Sequence, residues 1–241
     1  MLRRFLQSLK DILYPKTCLA CNSKVSKVID EELICKKCYN EIEINLPPFC
    51  FACGRHLAKN NLNKNICPAC IRNRLHFDRA FSPCVYDGIT KKLIHEFKYK
   101  GKDNLGRPLS KIMIDFIKEY NLPVNYIDFI IPMPLHKTKL REREFNQAEI
   151  LSMHIAKEFG KNLAGKVLLR HRLTKTQTEL KNKERFLNVA GSFSVDCRLN
   201  LEKKNLLLVD DVLTTGATAS EAALALKNAG AQTVFVLTLA N

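Results

Sequence analysis

The chain has 241 residues, enough for one sizeable domain and a small one. Lys and Arg outnumber Asp and Glu by 39 to 24, a formal charge of +15. That excess points to phosphate-rich partners such as nucleic acid, anionic lipid or phosphorylated ligands, without choosing among them. No apolar run approaches the length of a membrane span. The basic start MLRRFLQSLKDILYP is broken by Lys10 and Asp11 and followed by no small-residue cleavage site, which argues against a signal peptide.

In chain order, Leu2, Phe5, Leu6, Leu9, Ile12 and Leu13 share one helical face. Residues 1–16 therefore predict a short amphipathic helix ended by Pro15, which packs on the body of the protein or rests on a membrane surface. Next come ten cysteines, eight of them in one pattern used twice. Cys18 and Cys21 are answered by Cys35 and Cys38, and Cys50 and Cys53 by Cys67 and Cys70, at the same spacing. Paired C-x2-C turns clamp a tetrahedral metal, and four thiolates leave no position for water, so two structural zinc sites are expected. A disulfide framework would need an oxidising compartment. The pairing between repeats is open at this stage, sequential or interleaved. Each loaded shell carries two net negative charges, which lowers the chain's charge to about +11. The segment 23–33 predicts a small hairpin, and the lone Cys84 and Cys197 read as small buried residues. His56 and His76 lie near the pairs but are surplus to two filled shells.

The cysteine pattern stops near residue 76, which sets the division 1–16 helix, 17–76 double zinc ribbon, 77–241 second domain. Phe77, Phe81, Val85 and Tyr86 predict a strand, ended by the turn signal Asp87-Gly88. Leu93, Ile94 and Phe97 mark one helix face, and Leu109, Ile112, Met113, Phe116 and Ile117 another. Lys98, Lys100 and Lys102 around Tyr99 form a basic-aromatic patch, read as a solvated helix end or a contact for nucleic acid. Strands are expected at 126–131, 167–169 and 233–239, with a helix through Ile150, Leu151, Ile155 and Phe159 ended by Gly160. Between residues 137 and 185, thirteen Lys and Arg face six acids. Alternating strands and helices from Tyr126 onward imply a parallel α/β sheet with helices on both faces.

The densest signal is LLLVDDVLTTGAT at 206–218. Four successive apolar residues suit a strand buried on both faces. Asp210 and Asp211 follow, then Thr214, Thr215, Gly216, Ala217 and Thr218, and an Ala-rich helical run closed by Gly230. Carboxylates suit sugar hydroxyls, and a small-residue loop at a helix N-terminus suits phosphate. Neither a G-x-G-x-x-G fingerprint nor a P-loop is present.

This stretch resembles the PRPP-binding motif of the type I phosphoribosyltransferases. The resemblance implies that Asp210 and Asp211 hold the ribose hydroxyls, in the catalytic position, while residues 214–218 hold the 5-phosphate. Upstream, Pro132, Pro134, Leu135 and His136, then Arg141, Arg143, Phe145, Asn146 and Gln147, resemble the ComF competence family, which reads P-x-P-L-H and R-x-R-G-F-N-Q. The chain departs at Glu144, where the family has a glycine free to take positive φ. The resemblance makes Pro134, Leu135, His136 and Lys137 the pyrophosphate loop. Thr174, Gln177, Leu180, Arg185, Asn188, Gly191 and Phe193 match a long basic loop, in which Lys175, Gln177 and Arg185 are candidate contacts. Such a loop can close over pyrophosphate or hold a DNA backbone.

Together these motifs look like a ComF-family protein: a double zinc ribbon before a type I phosphoribosyltransferase-like domain. Membership implies natural transformation, cytoplasmic handling of incoming single-stranded DNA, and location in the cytoplasm or at the membrane through the DNA-uptake machinery. It implies PRPP or a related sugar phosphate with Mg²⁺ as ligand, and single-stranded DNA and other DNA-uptake proteins as partners. The alternative is an active Mg²⁺-dependent phosphoribosyltransferase of nucleotide metabolism, amidophosphoribosyltransferase-like, with ammonia or a nucleobase as acceptor.

Overall fold

The computed structural model describes residues 17–25, 33–57, 65–172 and 182–241. The expected helix over 1–16, most of the hairpin at 23–33, and Thr174, Lys175, Gln177 and Leu180 of the basic loop lie outside the described residues. Seven strands are present among them: β1 (Arg79–Phe81), β2 (Phe129–Pro132), β3 (Asn162–Leu163), β4 (Leu168–Arg170), β5 (Phe193–Val195), β6 (Asn205–Val212) and β7 (Thr233–Ala240). Five form one parallel sheet in the order β1-β7-β6-β2-β3. The apolar run before the acids is its central strand. Leu206 and Leu208 enter one core while Leu207 and Val209 enter the other, and all four are buried. Alternation between two apolar layers is what four consecutive aliphatic residues predict for a strand covered on both faces.

The helices are α1 (Lys36–Asn40), α2 (Pro68–Arg72), α3 (Gly88–Tyr99), α4 (Gly106–Glu119), α5 (Lys137–Arg143), α6 (Gln147–Phe159), α7 (Asn182–Val189) and α8 (Ala217–Asn228). Leu93, Met113, Phe116, Leu151 and Ile155 of α3, α4 and α6 fill the core shared by Leu207 and Val209. Ala222, Ala223 and Leu226 of α8 fill the opposite core. The parallel sheet with helices on both faces is therefore borne out.

Each cysteine repeat is seated on a different layer. Cys18, Ala20, Ile34 and Cys38 of the first join the α3–α4–α6 side, and Cys50, Cys53, Leu57 and Cys67 of the second join the α8 side. Phe49, between the repeats, sets its ring 6.0 Å from Phe116 and 5.3 Å from Tyr120 on and beside α4. The second repeat lies directly on β1: the Ala80 N–H donates to Ala52 O at 2.8 Å. Gly54 makes this approach possible, since a Cβ there would stand 2.4 Å from the Ala80 carbonyl oxygen.

Some expectations need correction. The strand predicted at 126–131 begins only at Phe129, because Val124–Tyr126 turns as a 3-10 helix and leaves Tyr126 exposed. The strand predicted at 167–169 is Leu168–Arg170 and stands outside the main sheet, paired antiparallel with β5 as a separate ribbon. Cys197 is exposed, unlike Cys84, which is fully buried and whose thiol burial pushes up to about 12. Lys98 is no solvated helix end; it is turned inward from α3.

Candidate functional site

Strand order reverses between β2 and β6: β2 leads outward to β3, β6 the other way to β7. Ligands of open α/β sheets lie at the carboxyl ends of the strands where such a reversal opens a crevice. Asp210 and Asp211 occupy the end of β6, with Pro132 of β2 in register with Val209. The side chain of Asp210 accepts the Asp211 N–H at 2.8 Å. Asp211 is buried and its carboxylate meets the Lys98 ammonium at 2.8 Å. Burial alone would lower Lys98, yet its bond to Asp211, with Asp210 behind, holds it above the usual lysine value. Asp210 has no such direct partner. Burial, then the neighbouring Asp211 charge, push its carboxyl up to about 7.

These acids open on a cavity of about 280 Å³ whose walls carry Lys98, Lys139, Arg143 and Arg170. Arg143 is braced by Gln147 Oε1 at 3.2 Å and lies over the Tyr99 ring, 5.0 Å from its centre. Arg170 projects from β4, with its guanidinium carbon 5.4 Å from the centre of the Phe193 ring. Burial lowers it, while Asp210 acts in the other direction. Two acids deep in a cavity walled by four cations suit a ligand with hydroxyls at its middle and phosphates at its ends.

The predicted phosphate loop meets this cavity through Thr214, Gly216 and Thr218. Gly216 takes φ 80 as the residue before α8, so Ala217 and Thr218 form the helix's first turn. Its N–H groups supply the positive end of the helix. Of the predicted pyrophosphate loop, Leu135 lines the cavity. His136 instead caps α5, its Nδ1 accepting the Thr138 N–H at 3.3 Å, and Lys137 is exposed. One turn along α5, Lys139 and Arg143 reach the cavity. Arg185 lies elsewhere, in a second hollow beyond the phosphate loop.

Sequence reasoning missed Arg170 and misread Lys98. Arg170 carries no local signature; a ribbon outside the sheet delivers it. Lys98 has one: Thr90 and Ile94 are buried on the same helical stripe, eight and four residues earlier, so a lysine there continues an inward face. Glu144 ends α5 at φ 67, the left-handed conformation the family glycine takes freely.

The eight cysteines form two clusters, sequential rather than interleaved: Cys18, Cys21, Cys35 and Cys38, then Cys50, Cys53, Cys67 and Cys70. Within each cluster all ligand atoms lie within 4.8 Å of one another, and Cys21–Cys35 and Cys53–Cys67 Sγ pairs are 3.7 Å apart. Tetrahedral Zn–S bonds of about 2.3 Å place sulfurs at such separations. Backbone N–H groups of Cys35 and Cys67 donate to Cys18 and Cys50 Sγ at 3.3 Å, the support a thiolate needs. His56 and His76 bond elsewhere, to Leu46 O at 2.8 Å and Ser220 Oγ at 3.0 Å. The clusters fit two structural zinc ions.

Residues 9–73 match the double zinc ribbon domain. Across 226 residues, 92% of this chain and 96% of the relative, the sequence is 26% identical to competence protein F of Haemophilus influenzae. It is 27% identical to competence protein ComFC of Bacillus subtilis, over 88% of this chain and 89% of that one. The DNA utilization protein YhgH of Salmonella typhimurium is 26% identical over 84% of this chain and 88% of its own length. The chain is a homologue of the ComF competence proteins. Among solved structures, the ComF-like chain is similar to the glutamine PRPP amidotransferase of B. subtilis in complex with ADP and GMP. The identity is 18% and the TM-score 0.36, over 59% of this chain and 30% of that one. The chain joins a Cys-rich zinc ribbon region to a parallel sheet with helices on both faces.

Proposed function

We propose that this chain is a competence protein that handles incoming single-stranded DNA and binds PRPP or a related sugar phosphate with Mg²⁺. The observation that carries the ligand reading is the Asp210–Asp211 pair at the reversal of strand order, in a cavity walled by Lys98, Lys139, Arg143 and Arg170. Asp210 and Asp211 accept from the ribose hydroxyls, the loop at 214–218 donates to the 5-phosphate, and Lys139 and Arg143 meet the pyrophosphate. Lys98 neutralises Asp211, so above pH 7 the pair presents about one negative charge, which suits hydroxyl binding. Mg²⁺, held through ligand oxygens beside these acids, would screen the pyrophosphate charge. The DNA reading is supported by the net charge of +15 and by the names of the relatives.

Arg170 favours a second reading, an active phosphoribosyltransferase. A guanidinium on the cavity wall stabilises charge as the bond from ribose C1 to pyrophosphate breaks and an acceptor nitrogen bonds to C1. A PRPP titration with and without Mg²⁺, read by calorimetry and by pyrophosphate release, separates the readings. Binding that Asp210→Asn/Asp211→Asn abolishes, without release, supports a ligand-binding role. Release across ammonia or a nucleobase panel makes the chain a transferase. Absence of binding sinks both.

A further inference from the structure

On the far side of the phosphate loop lies a groove of about 580 Å³, between α2 of the second cysteine repeat and the end of β6. Three arginines reach it from three parts of the chain: Arg55 inside the repeat, Arg72 on α2 and Arg185 on α7. Among the described residues, no aspartate or glutamate lines it. Cys53 and Cys70 belong to its wall, and a loaded shell carries two negative charges, fewer than the three guanidiniums opposite. Arg55 is anchored, one of its N–H groups donating to the Thr214 carbonyl at 3.1 Å. A guanidinium has five N–H donors, so this bond leaves the fork able to grip an anion as well. A larger hollow of about 820 Å³ beside α4 and α6 makes a useful contrast. There two of the three lysines are answered locally, Lys111 by Asp115 at 2.6 Å and Lys118 by Glu158.

Tyr86 lines both the arginine groove and the sugar-phosphate cavity, and Thr214 is part of the wall they share. An aromatic ring among several guanidiniums is the arrangement that holds an unpaired strand, bases stacking while phosphates meet cations. We propose that this groove is a second anion site that takes phosphodiester groups of one nucleic-acid strand, with Tyr86 against a base. The proposal rests on the DNA-handling reading above and adds where the strand lies: against the second cysteine repeat, next to the phosphate loop.

The test is equilibrium binding of an oligothymidylate, and separately of dTMP, to the zinc-loaded full chain over a range of salt. Wild type is compared with Arg72→Gln, with Arg55→Gln/Arg72→Gln/Arg185→Gln, and with Lys111→Gln/Lys118→Gln. Each phosphate contact on a single strand contributes about 0.7 to the salt slope, so the triple variant should lose about 2 from it. The Arg72→Gln chain should bind the oligonucleotide more weakly while its PRPP binding is unchanged, and the Lys111→Gln/Lys118→Gln chain should match wild type. Equal affinity and slope for wild type and the triple variant overturns the groove. Binding of dTMP as tight as the oligonucleotide's overturns the strand as its occupant. If wild type binds no oligonucleotide, the DNA-handling reading fails and this site with it; if it binds and the groove variants match it, only the groove fails. Should the triple variant lose zinc, Arg72→Gln, an exposed change on α2, decides alone.

Discussion

The Lys98–Asp211 pair places a lysine and a carboxylate where neither is well solvated, with side chains 18% and 10% exposed at 2.8 Å. A buried pair adds little net stability, but removing one partner leaves an uncompensated charge and costs about 3–5 kcal/mol. Lys98→Met should therefore lose stability of about that size in urea unfolding above neutral pH. A loss under 1 kcal/mol above neutral pH would show that solvent reaches Asp211. Asp210 makes the opposite kind of statement. Its folded-state value of about 7 lies above the ordinary aspartate value. Between roughly pH 4 and 7 the unfolded chain holds fewer protons there, so Asp210 subtracts from stability as pH rises through that window. A hydroxyl-binding role needs the ionised form, so sugar-phosphate affinity should fall as pH drops below 7 while the ligand-free fold gains stability from this group. An affinity that is flat from pH 8 to 6 removes Asp210 from the contact. Glu144 carries a third expectation. A non-glycine residue at φ 67 costs about 1–2 kcal/mol, so Glu144→Gly should raise stability by about 1 kcal/mol in the same unfolding assay.

At the level of elements, the two cysteine repeats have equal spacing and unequal placement. The first is built into the side of the sheet that holds α4; the second touches the phosphate loop through Arg55 and Thr214. Cys53→Ser and Cys21→Ser should each remove about one zinc per chain, but Cys53→Ser should weaken sugar-phosphate binding more. Equal weakening in calorimetry would mean that the repeats act through overall stability alone. Much of this architecture was legible. The C-x2-C spacing carried the zinc shells, and the Leu206-Leu207-Leu208-Val209 run carried a strand covered on both faces, because burial on two layers requires consecutive apolar residues. The rest depends on chain reversal, which no local pattern encodes. Leu168 and Leu169 read as a sheet strand, and the distant partners Val195 and Ser194 make them a separate ribbon. That ribbon brings Arg170 to the site. His136, a pyrophosphate contact by resemblance, also caps the start of α5 with its ring, while Lys139 and Arg143 of that helix line the cavity. Lys98 was readable in principle, since the stripe from Thr90 through Ile94 runs inward; its charge suggested solvent before its spacing suggested burial.

In the whole molecule, the loop at residues 214–218 is a wall between two cationic chambers. Thr214 faces the sugar-phosphate cavity on one side and accepts from Arg55 of the groove on the other. A phosphate bound at 214–218 would compete with the strand for the Arg55 guanidinium. The two ligands should therefore oppose each other, and linkage requires the penalty to be the same in both directions. Saturating Mg²⁺ and PRPP should weaken oligothymidylate binding about fivefold or more at low salt, with oligothymidylate weakening PRPP by the same factor. Raising salt should shrink both effects together, because charges separated by more than about 10 Å are screened at 0.1 M. Arg55→Gln should reduce the coupling further than Arg72→Gln does, since Arg55 touches the shared wall directly. Coupling of zero in wild type would mean that the chambers are filled independently. Coupling that strengthens strand binding would mean that the phosphate orders the loop against the second cysteine repeat instead of competing for Arg55.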